Sequence, residues 1–99
     1  MGPAYAQAMT IYLDPPMWPR HGKVWGHMIS DESIAELLEF AAKAGVPERA
    51  FDRDHIDVPE DMYPQLIEMG AVLVDGRELI RLLRASGLRV TAAKRHGRA

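Results

Sequence analysis

The sequence changes from a strand to a helix within residues 71–78, Ala71-Val72-Leu73-Val74-Asp75-Gly76-Arg77-Glu78. The first four of these residues are a short apolar run typical of a strand. Asp75 and Glu78 have the spacing of a capping box, in which Asp replaces the usual Ser or Thr. The helix that follows has an apolar stripe and ends at Gly87; the stripe consists of Leu79, Leu82 and Leu83. This strand–helix unit favours the α/β class.

Two further strand–helix units are predicted upstream of this stretch. Residues 10–13 predict a strand that ends at Asp14-Pro15-Pro16. Residues 14–30 predict a long loop, and Asp31 then predicts the N-cap of a helix that Gly45 closes.

The second upstream unit is weaker. Residues 49–51 predict a short strand, and Asp57 predicts the N-cap of a helix over residues 58–69. Pro64 predicts a kink or a restart within that helix because it removes a backbone donor.

The order of these elements predicts an α/β fold with a small, mainly parallel sheet of three or four strands, about three helices and a Rossmann-like order. Residues 88–90 are a candidate fourth strand. Residues 9–90 are predicted to form one domain, residues 1–8 a disordered leader or expression remnant, and residues 91–99 a flexible basic tail. A sheet of so few strands leaves one edge or one face uncovered. A homodimer is also predicted, because a second copy of the chain would cover it.

Composition excludes several classes of protein. The 99 residues contain no cysteine, which excludes disulfides and zinc–thiolate sites and favours a cytoplasmic protein. No apolar run is long enough to span a membrane. The last helix carries an arginine stripe of Arg77, Arg81 and Arg84, but the formal net charge is −2, so no strong binding to duplex DNA is predicted.

Ionisable residues crowd into two segments, residues 14–27 and residues 52–57. Because loops after parallel strands meet at one edge of a sheet, both segments are predicted to contribute to one pocket, roofed by the tryptophan-containing loop. The predicted catalytic residues are His27, His55 and Asp54. The predicted metal ligands are Asp14, His27, Asp54 and His55. The predicted substrate-binding residues are Asp14, Trp18, Trp25, Arg53 and Arg77.

These residue types predict a hydrolase that acts on a phosphoester or nucleotide, by metal assistance or by acid–base catalysis. Carboxylates with imidazoles can hold a divalent metal that activates water, and a histidine can also move protons near neutral pH. The alternative is a non-catalytic module that binds a nucleotide, another small anionic ligand or a partner. The glycine-rich phosphate loop and the His-Glu-x-x-His motif are both absent from the chain.

Each candidate residue also has a structural interpretation. Asp31, Asp57 and Asp75 suit helix caps, and Asp14 suits a proline turn. His27 or His55 can be a hydrogen-bonded structural histidine. Trp18 and Trp25 can be hydrophobic anchors of the long loop.

The stretch from Met9 to about Arg89 resembles the domain-of-unknown-function family 4031, a set of short bacterial and phage proteins. The resemblance implies a single compact domain and implies nothing about catalysis. Two features depart from the family pattern: the segment that precedes Met9, and the proline at position 64, Pro64. The residues that carry the resemblance are Tyr12-Leu13-Asp14-Pro15-Pro16, Trp18-Pro19, His21-Gly22, Trp25, His27, Ser30-Asp31, Arg53-Asp54-His55, Asp57-Val58-Pro59, Gly70-Ala71 and Arg77-Glu78-Leu79.

Overall fold

The computed structural model describes residues 10–90, so the predicted leader at residues 1–8 and the predicted tail at residues 91–99 lie outside the described residues. The strands are β1 (Ile11–Leu13), β2 (Trp18–Arg20), β3 (Lys23–Ser30), β4 (Phe51–Asp52), β5 (His55–Pro59) and β6 (Val72–Leu73). The helices are α1 (Ile34–Ala44), α2 (Tyr63–Glu68) and α3 (Gly76–Ser86). Two 3₁₀ turns cover Glu48–Ala50 and Glu60–Met62.

Within residues 10–90 the strands form one mixed, mostly antiparallel sheet. Its order is β4-β5-β3-β1-β6, and β2 also pairs with β3. Strand β3 runs antiparallel to β1, β2 and β5, and β4 runs antiparallel to β5. Of the strand pairs in the described chain, β1 with β6 is the parallel one. The predicted mainly parallel, Rossmann-like sheet of three or four strands is therefore wrong.

The main cause of this error is a hairpin inside the predicted long loop. Strands β2 and β3 pair with Arg20 opposite Lys23, which leaves His21 and Gly22 as a two-residue turn. Their φ angles are 53° and 75°, the combination that a type I′ turn requires. Histidine tolerates this left-handed region better than most residues, so the pair His21-Gly22 was the available signal. Pro19 is tolerated because β2 lies at an edge of the sheet.

A second antiparallel hairpin replaces the predicted second strand and the start of its helix. Strands β4 and β5 pair with Asp52 opposite His55. Asp57 therefore lies inside β5 instead of capping a helix, and α2 begins only at Tyr63. Pro64 lies in the first turn of α2, where its missing N–H group costs no hydrogen bond.

A bulge separates β1 from β2 along the same edge of β3. Leu13 pairs with Met28 and Trp18 pairs with Trp25. The interval of five residues from Leu13 to Trp18 therefore lies opposite an interval of only three residues in β3. The extra residues lie within residues 14–17, whose two prolines cannot donate to the sheet. At this bulge, the side chain of Asp14 hydrogen-bonds to His27 of β3.

Helices cover both faces of the sheet. Helices α1 and α2 pack on one face, where the core includes Leu13, Met28, Leu37, Val58 and Leu66. Helix α3 covers part of the other face, where Leu79 and Leu83 pack on Ile29 and Tyr12. Side chains of a β-strand alternate between the two faces of the sheet. In β3 and in β5, the residues that alternate with the core residues therefore lie on the α3 face. Part of that face is left for polar side chains.

The helix ends follow local capping rules. Gly45 and Gly87 end α1 and α3 in the left-handed conformation, as predicted. Asp75 caps α3 by accepting from the N–H group of Glu78. The predicted N-cap Asp31 is wrong, because Ser33 caps α1. In the part of the chain that the structure describes, no helix is long and apolar enough to cross a membrane.

Candidate functional site

Two histidines and one aspartate meet on the α3 face of the sheet. His27 in β3 lies directly opposite Asp57 in β5, and His55 lies two positions before Asp57 on the same face. One potential ligand atom from each of the three residues lies within 4.8 Å of the other two. The Nε2 atom of His55 is 3.1 Å from Oδ1 of Asp57, and the two imidazole rings meet edge to face at 5.1 Å. We call these three residues the histidine–aspartate cluster.

A second carboxylate holds each histidine of the cluster from behind. Asp14 Oδ2 lies 3.0 Å from His27 Nδ1, and Asp54 Oδ1 lies 2.9 Å from His55 Nδ1. An ionised carboxylate only accepts hydrogen bonds, so each ring donates through Nδ1. This fixes the ring orientation and directs Nε2 of each histidine away from its carboxylate.

Asp54 connects the cluster to the segment after α3. Its side chain is buried, with 4% exposure, and its Oδ2 accepts from the N–H group of Val90 at 2.7 Å. Nη1 of Arg89 lies 3.8 Å from the same oxygen. Asp54 therefore accepts from two donors and lies beside one cation, which compensates for its burial.

Asp14 is also held by several hydrogen bonds. Its Oδ1 accepts from the backbone N–H group of His27 at 2.7 Å. The hydroxyl of Tyr63 donates to the backbone carbonyl of Asp14 at 2.5 Å. Burial raises the pKa of Tyr63, so its hydroxyl stays protonated and keeps donating. Gly26 leaves room for this contact, because a Cβ atom there would lie 2.0 Å from the hydroxyl oxygen.

The pKa of His27 is raised above its ordinary value of 6.5. The hydrogen bond that His27 donates to Asp14 is the main cause, and partial burial opposes it. A raised pKa in the folded protein stabilises the fold fully below pH 6.5, and this stabilisation is lost as the pH rises through the raised value.

This linkage predicts the behaviour of Asp14→Asn in metal-free protein. Asparagine can keep the bond to the backbone of His27, but it removes the charge, so the pKa of His27 should fall. The difference in melting temperature between wild type and variant should be largest below pH 6.5 and shrink above it. NMR titration of the imidazole signals measures the pKa directly, and an unchanged pKa in the variant would contradict the role of Asp14.

Trp18 and Trp25 form a stack beside the cluster. Their ring centroids are 6.0 Å apart, and Trp18 lies 5.8 Å from the ring of His27. The guanidinium of Arg20 lies 4.8 Å from the centroid of Trp18, and its Nη2 is 3.8 Å from Asp57 Oδ2. Both tryptophans belong to strands, not to a loop that roofs a pocket. The stack places a cation beside Asp57.

Arg53 lies in a strained turn at the rim of the site. The N–H group of Asp54 donates to the carbonyl of Asp52 at 2.6 Å, which closes a three-residue turn around Arg53. Arg53 has a φ of 64°, a region that favours glycine. Strain of this kind persists where the surrounding structure requires it, and it concentrates at functional sites.

The strain predicts that two substitutions at this position differ in stability but not in ligand affinity. Arg53→Gly should be more stable than Arg53→Ala by about 1 kcal/mol, because glycine adopts positive φ without steric cost. Both variants should lose affinity for an anionic ligand equally, because both lack the guanidinium. Urea unfolding and isothermal titration with phosphate would measure the two effects. Equal stability of the variants would contradict a strained turn.

The structure brings some predicted site residues together and separates one. Asp14 and Asp54 contact the Nδ1 atoms of His27 and His55, on the side of each ring away from Nε2. Arg77 instead borders a separate surface with Asp75, Glu78 and Arg81. The sequence did not indicate that Asp57 lies beside the two histidines, because Val58-Pro59 suggested a helix start. The position of Arg20 beside Asp57 depends on the β2–β3 hairpin, where the sequence predicts a loop.

The fold and the site define a small mixed α/β protein with a carboxylate-supported histidine–aspartate cluster on one sheet face. The chain belongs to the family described as Protein of unknown function (DUF4031), whose model matches residues 11–86. No curated protein and no solved structure matches the chain.

Proposed function

We propose that this protein is a metal-dependent hydrolase of phosphoesters, with a divalent cation held by His27, His55 and Asp57. The observation that carries the proposal is the approach of three ligand atoms to within 4.8 Å of one another. Ligands on a tetrahedral metal with bonds of about 2.0–2.1 Å lie about 3.4 Å apart, so only small side-chain movements are needed. Two imidazoles and one carboxylate leave coordination positions for water and substrate.

The carboxylates that contact the Nδ1 atoms of the two histidines favour a metal centre over a chance grouping of side chains. Metal-binding histidines usually donate their second N–H group to a carboxylate or carbonyl, which orients the ring. Asp14 and Asp54 supply that support to His27 and His55 respectively. This assignment replaces Asp14 and Asp54 as direct ligands with Asp57.

The charge around the cluster supports an anionic substrate. A divalent cation there would supply water activation and polarisation of a phosphoryl oxygen. Arg20 lies beside Asp57, and Arg89 lies beside Asp54. One guanidinium group binds phosphate through two parallel N–H···O bonds, and it stabilises the charge that develops during phosphoryl transfer.

The test combines metal binding with turnover. Calorimetric titration of metal-free protein with Zn²⁺ and Mn²⁺ should show one site per chain, and the loaded protein should hydrolyse p-nitrophenyl phosphate or its diester. Absence of binding by both metals would reject the metal-dependent hydrolase. Turnover that persists in EDTA would replace it with metal-free acid–base catalysis.

One observation favours the alternative of a non-catalytic nucleotide-binding module. The stacked Trp18 and Trp25 with Arg20 combine aromatic faces with a cation, as base-binding surfaces do. A module of this kind needs neither histidine, so a His27→Gln, His55→Gln protein should bind AMP within about tenfold of wild type. Tryptophan fluorescence would measure this affinity, and a much larger loss would count against the module.

The remaining expectations stay predictions. They are the homodimer, the cytoplasmic location and the absence of strong duplex DNA binding. Arg81 already pairs with Glu78 at 2.6 Å, which reduces the charge that α3 offers to phosphates.

A further inference from the structure

A cleft of about 320 Å³ adjoins the histidine–aspartate cluster on the side of α3. It lies between α3 and the β4–β5 hairpin, and His27, Asp54 and His55 line its polar end. This volume is within the range of small-molecule sites, which is about 300–1,000 Å³. A ligand in the cleft would therefore contact the proposed metal centre at one end.

One wall of the cleft is aliphatic. Ile80 of α3 is its half-buried part, and the buried Leu79, Leu83 and Ile29 also line the cleft. These side chains offer no hydrogen bond, so a sugar hydroxyl or a nucleobase edge placed there would lose its bonds to water. An aryl or alkyl group would instead be removed from water favourably.

The polar part of the cleft carries cationic groups beside its carboxylates. Arg53 and Arg89 line it together with Asp52 and Asp54. The guanidinium of Arg53 is half exposed and pairs with the adjacent Asp52 at 2.9 Å. An exposed ion pair of this kind is weak, so Arg53 can exchange Asp52 for a phosphate oxygen. The cleft thus joins an anion-binding side to an apolar wall.

We infer that the ligand of this cleft is a phosphate monoester of an aryl or alkyl alcohol. Its phosphate lies between Arg53 and the histidine–aspartate cluster, and its apolar group lies along Leu79, Ile80 and Leu83. The inference rests on the proposed function for the reaction, but it adds a preference against sugar phosphates and nucleotides. Binding and catalysis can therefore be tested separately.

The test uses phosphonates, which bind as phosphate analogues and are not hydrolysed. Calorimetry would compare methyl-, propyl- and phenylphosphonate with glucose 6-phosphate, on protein with Zn²⁺ and on protein in EDTA. Phenylphosphonate should bind at least about tenfold more tightly than methylphosphonate, with propylphosphonate between them. Glucose 6-phosphate should bind no more tightly than methylphosphonate.

Two variants assign the preference to the cleft. Ile80→Asn should reduce the phenyl-to-methyl ratio below about threefold and leave methylphosphonate binding unchanged. Arg53→Gln should weaken both ligands equally. Leu73→Asn is the matched control, because Leu73 is 50% exposed on β6 and does not line the cleft.

The outcomes separate this inference from the proposed function. Equal affinity for methyl- and phenylphosphonate in wild type would overturn the inference, whether or not Ile80→Asn folds. A phenyl preference that survives in EDTA, in a protein that binds no metal, would reject the metal-dependent hydrolase and support the assigned ligand class.

Discussion

Replacing His55 by alanine is expected to lower divalent-metal affinity by about 100-fold or more and to abolish metal-dependent turnover. His55 contributes Nε2 to the histidine–aspartate cluster, 3.1 Å from Asp57 Oδ1. Loss of a ligand should exceed the 10–100-fold effect that is typical when a group behind a ligand is lost. Competition with a zinc-sensitive dye measures the affinity in wild type and variant.

Two further variants keep this experiment interpretable. Alanine leaves the buried Asp54 without one donor, so the fold should lose about 1–3 kcal/mol. His55→Asn restores a donor near the position of Nδ1 without supplying Nε2, and it should fold better while still failing to bind metal. His21→Asn is the matched control, because His21 lies in the exposed turn at positive φ, which asparagine tolerates. Equal zinc affinity in wild type and both His55 variants would contradict the centre.

Replacing Gly26 by alanine is expected to destabilise the protein by about 3 kcal/mol, the upper part of the usual range for overpacking. A Cβ atom at this position would lie 2.0 Å from the hydroxyl of Tyr63 and 3.0 Å from the carbonyl oxygen of Asp14. The second of these atoms is backbone and cannot rotate away. Because the displaced groups hold Asp14, the hydrogen bond to His27 should also weaken.

A double-mutant cycle identifies the cause. Tyr63→Phe removes the closest atom, so Gly26→Ala should cost at least about 1 kcal/mol less in that background. Gly76→Ala is the matched control, since its Cβ atom would meet Asp14 Oδ2 at an ordinary 3.8 Å. There, alanine at the start of α3 should be neutral or slightly stabilising. Urea unfolding measures all four variants, and additive costs would show that Tyr63 is not the obstacle.

Some helix termini were predictable because capping depends on neighbouring residues. Asp75, Gly45 and Gly87 act as the sequence indicates. The other two predicted N-caps were wrong, since Asp57 lies inside β5 and Ser33, not Asp31, caps α1. Ser30 accepts from the N–H groups of Glu32 and Ser33 and donates to Glu36 across the start of the helix. That arrangement depends on where β3 ends, which no local rule states.

The sheet was less predictable because a strand is defined by its partner. The prolines and glycines of residues 14–30 indicated a loop, yet β2 and β3 form a ladder that pairs residues 18–20 with residues 23–25. Two-residue turns at His21-Gly22 and Arg53-Asp54 make both hairpins. Neither pair is a common turn sequence, so the antiparallel pairings were missed.

The candidate site was likewise predictable in its residue types but not in the way that the strands bring them together. Its residue types were visible in the sequence, and the grouping of Asp14 with His27 and of Asp54 with His55 lies within the predicted set. The argument that grouped them was wrong, since it required parallel strands ending at one edge. In the structure, side chains from antiparallel neighbours meet on one face.

The sequence by itself determined the presence of three helices, the ends of α1 and α3 at Gly45 and Gly87, the cap of α3 at Asp75 and the supply of carboxylates and imidazoles, because these depend on spacing and composition over a few residues. Only the tertiary structure decided that Asp57 joins His27 and His55 and that Asp14 and Asp54 stand behind them. The physical reason is register, since a shift of one residue between β3 and β5 would move every side chain of one strand to the other face. The register depends on the hairpin turns, the bulge and the packing of both faces together.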